Sequence, residues 1–248
     1  MNSKIILKLS AAAAVALSLV AAPSAVSAQT EVSANAGFMS KYYYRGIPQE
    51  FSSASAGLDV SAGSFSAGTW AADVNGGSEI DLYAGVGFPL GESASVSIGG
   101  TGYFYTDPTF DVTYLEGNLG LGLGPLSVEL SGGSHQRDPD ATKYLFLGVT
   151  VEHMGFYVTA GSFSESMEFG DAFGDLFTLD AADLPATTLA GSLVHGQYLE
   201  GGYGFSAADL DFVVSGVWSD SEIAASPTNT GELTLLFAVS KTFDIDMD

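Results

Sequence analysis

The 248-residue chain carries 29 acidic against 7 basic residues, a formal charge of −22, and it contains no cysteine. That balance makes nucleic acid and anionic substrates poor partners and favours cations, and it leaves no disulfide framework to build. With 46% hydrophobic and only 15% charged residues the chain is too apolar for disorder, and its length allows one sizeable domain or barrel.

Residues 1–28 read as a secretory signal peptide. Lys4 and Lys8 precede an apolar run from Leu9 to Val20, and small residues end at Val26-Ser27-Ala28, the layout expected for cleavage after Ala28. The run is shorter than the roughly 20 residues a spanning helix needs. No later stretch is long enough either, which argues against a helical membrane protein. No Pro/Ser linker divides residues 29–248, so they are expected to form one unit.

From there the pattern has period two, the signature of strands whose successive side chains point to opposite faces. In the stretch 79–88, Ile80, Leu82, Ala84, Val86 and Phe88 share one parity, while Glu79, Asp81, Tyr83, Gly85 and Gly87 share the other. Similar runs predict twelve strands, over 32–45, 54–61, 65–74, 79–88, 94–105, 111–121, 126–132, 142–151, 156–163, 193–205, 209–218 and 231–243. Most approach the roughly 9–11 residues of a tilted transmembrane strand, longer than the about 5–6 of a soluble sandwich. The connections after the even-numbered strands are tight, whereas most of those after odd-numbered strands are longer. Tight turns alternating with long loops belong to an outer-membrane barrel with its turns in the periplasm. The short step Asn75 to Ser78 fits that rhythm badly. Aromatics near strand ends, including Phe38, Tyr42, Tyr44, Phe88, Phe104, Phe156, Tyr203, Phe205, Trp218 and Phe243, are expected to form interfacial girdles.

Three segments carry a family resemblance: SANAGFMSKYYYRGIPQ from Ser33 to Gln49, AGTW from Ala67 to Trp70, and EIDLYAG from Glu79 to Gly85. Together they resemble the TorF porin family of small outer-membrane β-barrels, most specifically over residues 33–88 and more weakly through YLEGGYG, Tyr198 to Gly204. Pro48 stands where a small polar residue is expected after the Arg-Gly-aliphatic step. The resemblance implies an all-β transmembrane antiparallel barrel and a channel role.

If the apolar parity faces lipid, the other parity lines the lumen. That face carries Arg45, Glu79, Asp81, Glu116, Glu129 and Glu200 among Tyr83, Tyr103, Tyr114 and Tyr198. Acidic rings in a pore favour cations, and Arg45 is placed to pair with one of the carboxylates. The reading is therefore a passive channel for small solutes with cation preference. The alternative is a closed barrel, its polar residues forming a plug, with a structural or loop-mediated binding role; twelve strands lie between filled eight-stranded barrels and open porins. In the long connection 164–192, Phe169, Phe173 and Phe177 recur at helical spacing with Asp171 and Asp175 between them, and a short helix constricting the mouth is expected there. Hydrolysis is not expected. Each of the three histidines, His135, His153 and His195, falls in or beside a connection, and a nucleophile needs an oriented base. No cofactor or metal site is expected. Expected partners are outer-membrane lipid and lipopolysaccharide, small solutes or cations, and the barrel-assembly machinery.

Overall fold

The computed structural model describes residues 30–106, 113–135, 143–164, 166–168, 178–180, 195–220, 223 and 233–246. Their strands, in chain order, are β1 (Thr30–Tyr44), β2 (Ile47–Ala62), β3 (Phe65–Val74), β4 (Gly77–Pro89), β5 (Ala94–Tyr105), β6 (Tyr114–Leu123) and β7 (Leu126–His135). Then follow β8 (Lys143–His153), β9 (Phe156–Ser164), β10 (Ser166–Glu168), β11 (Thr178–Asp180), β12 (Gly196–Ala207), β13 (Leu210–Ser219) and β14 (Thr234–Ile245). Twelve of them close into an antiparallel barrel, β1 meeting β14 with Phe38 opposite Val239. The short pair β10–β11, inserted between β9 and β12, forms a separate antiparallel ladder from Ser166↔Asp180 to Glu168↔Thr178. The expected constriction residues Phe169, Asp171, Phe173, Asp175 and Phe177 lie outside the described residues, as does the expected signal peptide.

Alternation explains the wall. On β4, Leu82 is 52% exposed outward while Glu79 and Asp81 are each 1% exposed inward. The same holds around the barrel, where Ile98, Leu119, Val158, Leu199, Val214 and Leu235 all face out and are exposed. A continuous apolar face of this extent belongs in hydrocarbon, not in water. At one end the strands are joined by short turns, Gly63-Ser64, Leu90–Ser93, Gly124-Pro125, Met154-Gly155 and Ala208-Asp209; this is the turn end. The opposite, loop end carries the longer connections between β5 and β6, β7 and β8, β9 and β12, and β13 and β14.

The second strand departs from the sequence expectation. It starts at Ile47, not at 54, and the expected loop over 46–53 shrinks to the two-residue turn Arg45-Gly46. Both turn residues have left-handed backbones, φ 46° and 80°, the geometry of a tight primed hairpin turn. Pro48 and a broken alternation hide the strand from a period-two search. Met39 and Tyr42, three residues apart, are both buried inside the barrel. The ladder slips between Tyr42 and Tyr43, and Ser52 holds φ at 63°. The break in alternation falls between Met39 and Tyr42, where Ser40 and Ser52 drop out of the ladder, and with Tyr42 and Tyr44 inside the barrel these two do not belong to the girdle, unlike Phe38, Phe88, Phe156, Tyr203 and Phe243, which are exposed on the outer face.

A larger consequence follows for the wall. β1 pairs with β14 only as far as Met39↔Ala238, and β2 pairs with β3 only from Ser55↔Ala72 onward. Between those points β1 and β2 pair with each other to Tyr44↔Ile47. Residues 40–54 thus leave the barrel wall as a two-stranded arm and bend across the lumen.

Candidate functional site

The tip of the arm meets strands from almost every side of the barrel. Arg45 donates from Nη1 to Glu116 Oε2 at 2.6 Å and from Nη2 to Glu116 Oε1 at 2.9 Å, the two-pronged geometry that suits a guanidinium and a carboxylate. Nη2 also donates to Glu129 and, at 3.2 Å, to Ser131 Oγ. The guanidinium lies 4.1 Å from the ring centre of Phe146, a cation–π contact in a desolvated place. Beyond Arg45, Ser219 Oγ donates to the Gly46 carbonyl at 2.6 Å. Gly46 is required on two counts: its φ of +80°, and a Cβ there would stand 2.5 Å from the Cβ of Tyr198. Ile47 packs against the cluster of Tyr144, Phe146, Phe163, Tyr198 and Ile223.

Around this knot the remaining polar atoms are bonded in series. Tyr144 donates to Glu116 Oε2 at 2.7 Å, and Asn118 Nδ2 donates to Glu116 Oε1 at 2.5 Å and to Ser131 Oγ at 2.9 Å. Ser131 donates to Glu129 Oε1 at 2.8 Å. Tyr44 and Tyr103 share a hydrogen bond of 2.6 Å between their hydroxyls. At the base of the arm, Tyr42 donates to Glu79 Oε1 at 2.6 Å and Tyr105 to Oε2 at 2.5 Å, with Tyr42 set edge-on to Trp70 at 5.5 Å. Among the described residues five buried side-chain polar atoms stay unbonded, Asn35 Oδ1, Ser55 Oγ, Arg45 Nε, Asp81 Oδ1 and Trp70 Nε1, the last two on directly opposed residues of β3 and β4.

The lumen therefore has two halves. Toward the loop end the inward positions hold Tyr42, Trp70, Glu79, Tyr103, Glu116, Tyr144, Phe146 and Tyr198, all buried. Toward the turn end they hold Gly85, Gly87, Ser95, Ser97, Gly99, Gly120, Thr150 and Thr159, a run of small residues, of which Ser95, Ser97 and Thr150 are buried. The large residues of that half are held to the wall. The Tyr83 ring lies over Gly68 and the Tyr157 ring over Gly202, each the directly opposed residue on the next strand. Their hydroxyls donate to wall carboxylates, Tyr83 to Asp59 Oδ1 and Tyr157 to Glu200 Oε1, both at 2.5 Å.

Of the residues the sequence singles out, Arg45, Tyr103, Glu116 and Glu129 come together in the knot, with Tyr198 against the neighbouring Gly46. Glu79 and Asp81 sit beside it, Tyr114 packs against Tyr105 at 6.0 Å, and Tyr83 and Glu200 stand apart in the turn half. Arg45 occupies the tip of the inward arm, not the wall. Asn118, Ser131, Tyr144 and Phe146 were not singled out, although parity alone places them on the lumen face. Among the described residues no group of three His, Asp or Glu is arranged to hold a metal ion.

The fold and lumen define a porin-like closed barrel. Residues 23–138, just under half of the chain, match a sequence family described as "Bacterial protein of unknown function (Gcw_chp)". No curated protein matches. Among solved structures, the NanC porin is similar with a TM-score of 0.51 and 9% identity, over 85% of this chain and 98% of that one. A structure described in work on the in-meso crystallization of membrane proteins has a TM-score of 0.52 and 9% identity, over 88% of this chain and 85% of that one. At such identity the likeness is one of fold.

Proposed function

We propose that the protein is a passive outer-membrane channel of small bore, admitting small solutes with a preference for cations and standing closed in the conformation described. The observation that carries this is the turn half of the lumen, lined by small residues with Tyr83 and Tyr157 laid on opposed glycines. A barrel serving only as a scaffold has no use for rows of Gly, Ser and Thr on its inner face, or for tyrosines held flat against the wall. In orientation the turn end faces the periplasm, as in outer-membrane barrels generally, and the outer face contacts lipid and lipopolysaccharide. Cation preference follows from the lumen charge. Asp59, Glu79, Asp81, Glu116, Glu129 and Glu200 stand against the one guanidinium of Arg45 among the described lumen residues, and such a field raises local cation concentration. The TorF resemblance of residues 33–88 supports the same reading.

A second reading, a permanently closed barrel with a structural or loop-mediated binding role, draws on the burial of Tyr42 and Phe146 across the loop half. The two separate in a planar bilayer. The full chain is expressed, extracted from outer membranes and recorded under a KCl gradient. The channel reading expects brief discrete steps with a reversal potential on the K⁺ side, shifted toward zero when Glu79, Asp81, Glu116 and Glu200 are replaced by their amides. Steps without K⁺ preference would overturn the cation preference. Silence, both in this chain and in variants that release the arm, would leave the closed barrel standing.

A further inference from the structure

We propose that the β1–β2 arm is a gate, with residues 40–54 occupying the lumen in one state and rejoining the wall in the other, and with Arg45 as its latch. The consequence for permeation rests on the channel reading above; the two positions of the arm rest on the wall itself. β14 runs on past Ala238 to Thr234 and β3 past Ala72 to Val74, each still paired on its far side, Thr234 with Val217 and Val74 with Gly77. On the near side the ladder stops, leaving strand edges of the kind that seek a partner. The existing registers already designate one. Continued by one step, they set Ser40 opposite Phe237 and Ala54 opposite Asp73. Those residues are in contact at the root of the arm, where the Phe237 amide donates to Ser40 Oγ at 2.9 Å and the Ala54 amide to Asp73 Oδ2 at 3.3 Å.

Irregular backbone lies inside the arm, close to its root. The ladder slips between Tyr42 and Tyr43, and Ser52 on the facing strand holds a left-handed φ of 63°, a conformation disfavoured for a residue with a Cβ. Inside the lumen the arm has no backbone ladder to the barrel. One backbone hydrogen bond, from the Asn75 amide to the Gln49 carbonyl at 3.4 Å, ties it to the β3–β4 turn, and Ser53 Oγ donates to the Asp73 carbonyl at 2.8 Å; the other bonds come from side chains, chiefly Arg45 on Glu116 and Glu129, with Tyr42 on Glu79 and Ser219 on Gly46. One segment with two alternative sets of bonds is the kind of bistable element from which switches are made. When the arm leaves, the guanidinium leaves with it, and Glu116 and Glu129 become free carboxylates lining the passage.

The chain has no cysteine, so two spin labels can be placed uniquely, at Glu50→Cys on the arm and Gln197→Cys on β12, in the full chain inserted in membranes. Arg45→Glu sets a carboxylate against Glu116 and Glu129. It is expected to add a longer inter-label distance and to raise the open fraction in bilayers on the order of a hundred-fold, as when one partner of a buried ion pair is removed. Adding Glu116→Arg is expected to restore the single short distance and the low open fraction, which a misfolded barrel would not do. Arg45→Lys, keeping the charge without the fork, is expected to fall between. A folded Arg45→Glu barrel with the distance unchanged would overturn the gate. A moved arm without conductance in any variant would uphold its two positions and overturn the channel reading instead.

Discussion

The two halves of the lumen are built from the same twelve strands, yet they solve opposite problems. In the loop half, inward aromatics, carboxylates and the arm's guanidinium fill the cross-section, and nearly every polar atom is bonded. In the turn half the inward residues are mostly small, and Tyr83 and Tyr157 lie against opposed glycines. Strand number thus fixes the circumference but not whether a barrel is open. The length of the inward side chains decides that half by half, and a segment borrowed from the wall completes the closure.

That contrast can be tested by unequal responses to similar changes. Replacing Arg45 by Ala leaves Glu116 and Glu129 buried without their cation. It is expected to cost about 3–5 kcal/mol, read as a lower urea midpoint or, where the arm is released first, as an early transition of a label on Glu50. Glu200→Gln, in the turn half, is expected to cost well under that in the same experiment; an equal loss would erase the distinction between the halves. Phe146→Ala removes the ring beneath the guanidinium and opens a cavity in the packed half, with about 3 kcal/mol or more lost. Gly202→Val works the other way. It pushes the Tyr157 ring off the wall toward the axis, and is expected to lower the unit conductance of the arm-released channel at a stability cost of about 1–3 kcal/mol. The smallest effect is expected from Ser219→Ala, which removes one hydrogen bond to the Gly46 carbonyl, about 1 kcal/mol, detected as a modest rise in open fraction.

Much of the barrel was legible in the sequence because period two is a local property. Glu79 to Phe88 announces its strand and both its faces within ten residues. The arm was not legible. Pro48 and the Ser52-Ser53 step interrupt the alternation that marks β2, and a break in alternation between Met39 and Tyr42 puts Tyr42 and Tyr44 inside the barrel, off the girdle. The site was legible only as a list of lumen residues. That Arg45 meets Glu116 and Glu129, 71 and 84 positions away, depends on a bend of the chain that no local pattern encodes. Tyr144, Phe146, Asn118 and Ser131 share the parity of the lumen acids, and parity alone identifies them; a search for charge and phenol passes over most of them.

The division of the lumen is tested most directly by water itself. In the cysteine-free chain, single cysteines are placed at Thr159 in the turn half and at Thr101 and Ser131 in the loop half, Ser131→Cys also weakening the hydrogen bonds of Ser131 to Arg45, Asn118 and Glu129. Each variant, folded in detergent, is exposed to a small water-soluble maleimide and its labelling rate measured. The account predicts fast labelling at 159 and slow labelling at 101 and 131, with the slow pair becoming fast when Arg45→Glu is added. Equal rates at all three positions in the unlatched and latched chains alike would contradict it, because the loop half would then be open without the arm moving.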